Sequence, residues 1–257
     1  MPRSFSYNAL ALRVKAAGES NREAWFLTAE EGIIRATVFG GPKSKLRARV
    51  APFHGGALYA YHDPVRDSRK VNDFDVKAYR PGIRELYERA MAANAVAETI
   101  LASHGGGGNW EEAFMLAGSA LDGLESADAS LCPALAVGFY WRWIGILGQK
   151  PDLSSCAACG KGTAREDTLW FSGREEAFFC GNCISRFRSD SLMPQDSGAF
   201  MRFDPGPRLW LGKIETASPA ELPRISPDAA SLEQARTLSL SILAGAIGRK
   251  LPTWDGV

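Results

Sequence analysis

The sequence predicts an α+β multidomain protein. A small closed β-barrel comes first, an α-helical domain follows, and a four-cysteine, zinc-ribbon-like segment is inserted into the helical part. Three observations carry this. Residues 4–76 hold five short runs of strand character separated by glycine-rich turns, the pattern of half-buried strands. From Pro81-Gly82 onward the apolar period lengthens to that of helices. Four cysteines stand as Cys156-x2-Cys159 and Cys180-x2-Cys183, with twenty residues between the pairs. The expected borders are 1–80 for the barrel, 81–152 for the first helical part, 153–189 for the cysteine segment and 190–257 for the second helical part.

In the barrel, Ser4 to Lys15 alternates, with Leu10, Leu12 and Val14 on one face and Ala9, Ala11, Arg13 and Lys15 on the other. Glu23 to Thr28 forms the second strand, and Ile33 to Phe39 the third, where Ile34, Ala36 and Val38 oppose Arg35, Thr37 and Phe39. Gly32 and Gly40-Gly41-Pro42 mark turns. Two further strands are expected near Ala57–Tyr61 and Val65–Val76. Five strands in so short a stretch suit closure, because a closed barrel has no exposed edges.

In the helical part, Ile83, Leu86, Tyr87, Ala90, Asn94, Ala97 and Leu101 follow one stripe. Asn109 with Glu112 has the form of a capping box and opens a helix to about Leu124. Pro133 opens a third, with Leu135, Phe139, Trp143 and Leu147 along one side. Ser218-Pro219-Ala220-Glu221 and Ser226-Pro227-Asp228 read as helix starts, the last helix running to about Leu251. Thr237–Ile242 also fits a strand period, and residues 192–217 carry no assignment.

The cysteine spacing has a chemical reason. A two-residue gap lets one tight turn aim two thiolates at a single ion, and the stretch between the pairs is long enough for a hairpin. Leu169-Trp170-Phe171 and Ala177-Phe178-Phe179 are its expected strands around Gly173. Disulfides or unrelated thiols are the alternatives. The chain has five cysteines, an odd number, and its first twenty residues show no apolar secretory segment, so a reducing compartment and one structural zinc ion on Cys156, Cys159, Cys180 and Cys183 are expected. Four thiolates fill a tetrahedron and leave no open position for catalysis. Cys132 stands outside the pattern and reads as a buried thiol.

With 257 residues, 46% of them hydrophobic, the chain can build a sizeable core, and no apolar run is long enough to cross a membrane. The formal net charge of +1 hides an asymmetry. Residues 1–90 hold 16 Lys and Arg against 10 Asp and Glu, and residues 91–257 hold 14 against 19. The basic half is a candidate polyanion surface or an ordinary charged one. Lys43, Lys45, Arg47 and Arg49 occupy every second position after the third strand and, if extended, line up as a phosphate-tracking row. Arg13, Lys15 and Arg35 share the outward parity of their strands and extend it. Trp25 and Phe39 are either stacking faces for bases or core. Gly40-Gly41-Pro42-Lys43-Ser44 lacks the spacing of a nucleotide-binding loop, and the three histidines show no ligand or catalytic spacing.

Three stretches carry a family likeness. The first runs from Ala9-Leu10-Ala11-Leu12-Arg13 through Gly18-Glu19-Ser20 and Leu27-Thr28-Ala29-Glu30-Glu31-Gly32 to Phe39-Gly40-Gly41-Pro42-Lys43-Ser44-Lys45-Leu46-Arg47 and Pro52-Phe53. The second is Leu147-Gly148-Gln149-Lys150-Pro151-Asp152-Leu153-Ser154-Ser155-Cys156-Ala157-Ala158-Cys159-Gly160, and the third is Ile247-Gly248-Arg249-Lys250-Leu251. In these the chain resembles the RecO family of bacterial DNA repair proteins. It departs at Gly173-Arg174-Glu175-Glu176, and at Asp204-Pro205-Gly206-Pro207, where the family has a helix.

The resemblance implies that the barrel is an OB-fold. It implies a non-enzymatic recombination mediator, without catalytic residues, that binds single- and double-stranded DNA and anneals complementary strands. Its implied partners are RecR and the tail of the single-strand binding protein, with RecA loading as the outcome and the nucleoid of the bacterial cytoplasm as the place. An acidic tail with a terminal carboxylate needs an apolar pocket with a cation at its rim. Phe139, Arg142 and Trp143 are the residues expected to receive it, unless the aromatics simply fill the core between helices. The alternative function is a zinc-ribbon regulator or adaptor acting mainly through protein partners. A nuclease would need a carboxylate cluster at metal spacing, which the sequence does not show.

Overall fold

Strand pairing closes the N-terminal sheet on itself. The computed structural model describes residues 3–41, 44–189, 200–217, 221 and 224–257. Strands β1 (Ser4–Ala17), β2 (Asn21–Thr28), β3 (Gly32–Val38), β4 (Gly55–Asp63) and β5 (Ser68–Ala78) form a closed barrel in the order β1-β2-β3-β5-β4. This is the five-stranded barrel of an OB-fold. Its interior takes Tyr7, Ala9 and Ala11 from β1, Phe26 from β2, Ala36 from β3, Leu58 from β4 and Phe74 from β5. Phe26 and Phe74 meet edge to face at 5.6 Å.

The expected parity of β1 is corrected here. Ala9 and Ala11 point inward, and a bulge between Ala11 and Arg13 shifts the register, so that Val14 also packs on the barrel core. Leu10 and Leu12 are buried too, but outside that core. Both faces of β1 are covered because α2 (Tyr87–Ala102) and α3 (Trp110–Glu125) pack on the barrel. A bulge adds one residue and so exchanges the faces beyond it.

Between β3 and β4 lies α1 (Lys45–Arg49), a short helix where an extended row of cations was expected. Its residues are good helix formers. Leu46 and Val50, four apart, lie on one helical face and pack against the barrel core. The chain enters α2 through a 3-10 turn, Pro81–Arg84. Arg80 ties the pieces together: its Nε donates to Asp122 Oδ1 at 2.7 Å and its Nη1 to the Phe53 carbonyl at 2.7 Å.

The expected stripe on α2 is also corrected. Asn94 and Tyr87 are exposed, while Ala92, Ala93, Val96 and Ile100 are buried. Small residues on several sides let α2 pack on β1, α3 and a C-terminal 3-10 turn, Pro252–Gly256. That turn docks through Trp254, whose Nε1 donates to Thr99 Oγ1 at 2.9 Å. The α3 N-cap forms as expected, Asn109 Oδ1 accepting from the Glu112 amide, while the Glu112 carboxylate accepts from the Asn109 side-chain amide.

The chain divides into two compact units, Met1–Cys132 with Leu251–Val257, and Pro133–Lys250. This partition differs from the expected borders, because α2 and α3 pack with the barrel. The second unit holds α4 (Cys132–Ile146, from Pro133 on) and a sheet of β6 (Leu169–Ser172), β7 (Ala177–Cys180) and β8 (Met201–Phe203) in the order β7-β6-β8. Helices α5 (Gly181–Ser189), α6 (Pro205–Thr216) and α7 (Ala229–Ile247) complete it.

Two expectations about this unit change. The Asp204-Pro205-Gly206-Pro207 stretch does not interrupt a helix; it starts α6, with Pro205 in the first turn, where a missing N–H leaves no bond unmade. Helix α7 covers Thr237–Ile242 and ends at Ile247, because Gly248 turns left-handed at φ 79°. The start expected at Ser218-Pro219-Ala220-Glu221 falls on residues of which only Glu221 is described.

Candidate functional site

Register places the predicted cations of the barrel. Arg13 on β1 pairs with Trp25 on β2, and Trp25 pairs with Arg35 on β3, so the three form one row across the outer surface. The next row sets Lys15 against Glu23 and Glu23 against Thr37. Lys15 Nζ lies over the Trp25 ring at 5.9 Å, and Arg35 pairs with Glu23 at 3.1 Å with its side chain 65% exposed. Trp25 is half-buried and Phe39 is 52% exposed, so neither aromatic belongs to the barrel core. Three cations around one indole, with a single acid among them, make a surface for a polyanion that also has bases to stack.

The basic segment adds to this surface differently from the expected row. Lys43 lies outside the described residues. Lys45 and Arg47 are exposed on α1, where two residues turn the direction by about 200°, so they fan apart instead of aligning. Arg49 is half-buried and pairs with Asp73 at 2.7 Å. Sequence reasoning missed Arg22, whose guanidinium donates to the carbonyls of Arg47 and Val50 and so pins α1 to β2. It also missed the β4–β5 loop, where Val65 is 89% exposed beside exposed Arg66. Its signal was the turn sequence Pro64-Val65-Arg66-Asp67, since loops of this kind flank the ligand face of such barrels.

The four-cysteine site assembles as the spacing demands. The Sγ atoms of Cys156, Cys159, Cys180 and Cys183 all lie within 4.8 Å of one another. Cys159 and Cys180 are 3.9 Å apart, far beyond a disulfide bond, and none of the four is bridged. Four thiolates about 2.3 Å from one ion stand about 3.8 Å apart, so the cluster fits a single metal ion.

Local structure explains the aim of each thiol. Cys156 to Gly160 is a tight turn: the Gly160 amide donates to the Cys156 carbonyl at 2.9 Å, and Gly160 takes φ 67°. The β6–β7 hairpin sets Cys180 opposite Leu169, and Cys183 follows in the first turn of α5. Cys156 and Cys183 are buried beside Phe179 and Ile184. Burial works to raise the Cys156 thiol, yet amide hydrogen bonds from Cys180, Cys159 and Ala158 outweigh it and bring it down to about 6. Burial and the neighbouring thiols push Cys183 up to about 12. A cation binds such a set as thiolates, so its uptake here would release protons.

Phe139 and Trp143 are buried, with 2% and 0% of their surface exposed, and their rings stack at 5.3 Å. Arg142 donates to the carbonyls of Ile214 and Ala217 at the end of α6, where a cation suits the helix dipole. Their contacts are those of core packing and helix capping. The same unit has an open groove of about 650 Å³ instead, lined by Trp141, Lys150, Leu153, Arg165, Leu209 and Lys213 among others. Lys150 and the Trp141 indole are both engaged by Glu215, at 2.8 and 2.7 Å. Arg165 and Lys213 make no ion pair among the described residues, and Leu209 is 42% exposed.

The chain is similar to known proteins. A family model described as "Recombination protein O N terminal" matches residues 1–79, and one described as "Recombination protein O C terminal" matches residues 84–203. A protein of Desulfitobacterium hafniense named "DNA repair protein RecO" is 31% identical over 190 residues, 72% of this chain and 66% of that protein. Its namesake in Synechococcus sp. is 28% identical over 69% of this chain and 62% of its own length. That of Nitratidesulfovibrio vulgaris is 27% identical over 80% of this chain and 84% of its own. The chain thus spans just under two thirds of the first two relatives.

Proposed function

The chain belongs to the RecO family, and on that premise we propose that it is a non-enzymatic mediator of DNA repair and recombination. The observation that carries this reading is the Arg13–Trp25–Arg35 row with Lys15 above the indole. Cations that follow a phosphate backbone, beside an aromatic face open to any base, bind nucleic acid without reading sequence. Such a protein can hold single strands and duplex alike, and holding a strand by its backbone leaves base edges free to pair with a complement. In this reading the protein anneals strands and, with RecR, helps load RecA on DNA coated by single-strand binding protein, in the nucleoid of a bacterial cytoplasm.

Zinc is the proposed metal. A closed set of four thiolates suits a structural zinc ion and gives it no position for substrate. The acidic tail of the single-strand binding protein is assigned to the groove of Arg165, Leu209 and Lys213. There an exposed leucine lies beside two cations that form no ion pair among the described residues, while the groove's acids, Asp152 and Glu215, are taken by Ser154 and Ser155 and by Lys150. The buried Phe139 and Trp143 offer a tail no such surface.

The test is a salt titration of single-stranded DNA binding. Changing Lys45 and Arg47 together to Ala is expected to weaken binding of unrelated sequences alike. It should flatten the slope of log K against log salt by about 1.4, two phosphate contacts at about 0.7 each. A wild-type protein with no salt-sensitive DNA binding would return the chain to the adaptor reading.

A further inference from the structure

The outward rows of the barrel do not stop at β3. Thr37 pairs with Lys70 on β5, and Lys70 pairs with Tyr61 on β4. One girdle therefore runs Lys15–Glu23–Thr37–Lys70–Tyr61 around the barrel. We propose that the nucleic-acid path continues along it, from the Trp25 face across Lys70 to a second stacking platform at Tyr59 and Tyr61, as a subsite for the phosphates and bases of a longer single strand. This rests on the DNA-binding reading above and adds a segment outside the face of strands two and three that barrels of this kind ordinarily use.

Side-chain placement supports the extension. Inward-facing Leu58 and Ala60 belong to the barrel core, so Tyr59 and Tyr61 between and beyond them point outward. Tyr59 is 45% exposed, an open ring for a base. Tyr61 instead gathers cations: Lys70 Nζ lies over its ring at 5.3 Å, and Arg3 Nη1 donates to its hydroxyl at 3.3 Å. Arg3 and Lys70 are exposed and have no ion pair among the described residues. Of the nearby acids, Asp73 is paired with Arg49 and Asp75 with Lys77, each at 2.7 Å, and Asp63 accepts from the amides of Val65 and Arg66. Two free cations bracketing one tyrosine, next to a second tyrosine with an open face, repeat the chemistry of the Trp25 row.

Oligonucleotide length separates the subsite from the main face. The full chain should bind a single strand of about 16 nucleotides more tightly than one of about 4, the upper and lower ends of the range for one such barrel. In a Tyr59→Ala, Lys70→Ala variant the longer strand should lose about tenfold, the stacking of one base, while the shorter keeps its wild-type affinity. Lys70→Ala alone, a change at an exposed side chain, should flatten the salt slope by about 0.7 for the longer strand only. Three outcomes overturn the inference: wild-type affinities in both variants for both lengths, equal losses for both lengths, or no gain with length in the wild type. Absence of binding at either length in the wild type strikes the DNA-binding reading itself, so the two failures are told apart.

Discussion

The barrel and the cysteine segment are held together in opposite ways. The barrel buries thirteen residues in a continuous interior, with Phe26 and Phe74 at its centre. Among the described residues, the cluster around the four cysteines has four buried members, and two of them are Cys156 and Cys183 themselves. A stretch this short cannot bury enough apolar surface to offset its ordering entropy, and metals supply the difference in such segments. The contrast divides labour: a barrel stable through its inside leaves its outside free for a ligand, whereas the cysteine segment has its distinctive groups committed to its own structure.

Removing the metal is the strongest way to break this comparison. Structural zinc in small peptides is worth about 10–16 kcal/mol at neutral pH. Cys159→Ser takes away one of four ligands, and it is expected to abolish stoichiometric metal and to expose the amides of β6, β7 and the Cys156 turn to hydrogen exchange. The barrel amides should keep their protection. A segment that stays protected without metal would show that Phe179, Phe187 and Phe200, which meet at 5.9 and 5.6 Å, suffice alone.

The converse experiment strikes the barrel. Phe26 is fully buried and touches Phe74 edge to face. Phe26→Ala should destabilise the barrel by about 3–5 kcal/mol, the usual consequence of emptying an aromatic site in a core, while metal content remains one per chain. Denaturant unfolding read alongside metal analysis checks both halves. A variant that lost its metal too would make the two regions one cooperative body.

How much of this was legible before the structure depends on how local each cause is. The four cysteines were legible because two-residue gaps and a hairpin aim thiols using only neighbouring residues, and the Asn109–Glu112 cap was legible for the same reason. The strands of the barrel were legible, but not the parity of β1: the bulge at Leu12 is a property of its pairing with β2. The alternating cations of Lys45 to Arg49 mimic a strand, and only the barrel end that receives Leu46 and Val50 decides for a helix. Strand β8 has three residues and no periodicity to read; it exists because β6 offers an edge. The Arg13–Trp25–Arg35 row required register, which a sequence does not print.

The smallest expected effect sharpens the comparison through pH. His54 lies at the end of the β3–β4 connection, buried against the first unit's own arginines. Its Nδ1 is 2.7 Å from the Arg49 carbonyl and must donate there, so Nε2 is the unprotonated acceptor facing Arg84 Nη2 at 3.3 Å. Burial pushes the imidazole below the usual value of 6.5. Arg84 and Arg80 push the same way, and the bond to Arg49 pulls only partly back. Below pH 6.5 the unfolded chain therefore binds a proton that the folded barrel resists, and stability falls as pH drops. His54→Gln removes this one titration and leaves every thiol untouched. Comparing barrel melting at about pH 7.5 and about pH 5.5, the wild type should lose more than the variant does. The acid sensitivity of the metal site is common to both proteins and cancels in that difference. Equal losses would mean that His54 is protonated in the folded barrel, with Arg84 turned away from it.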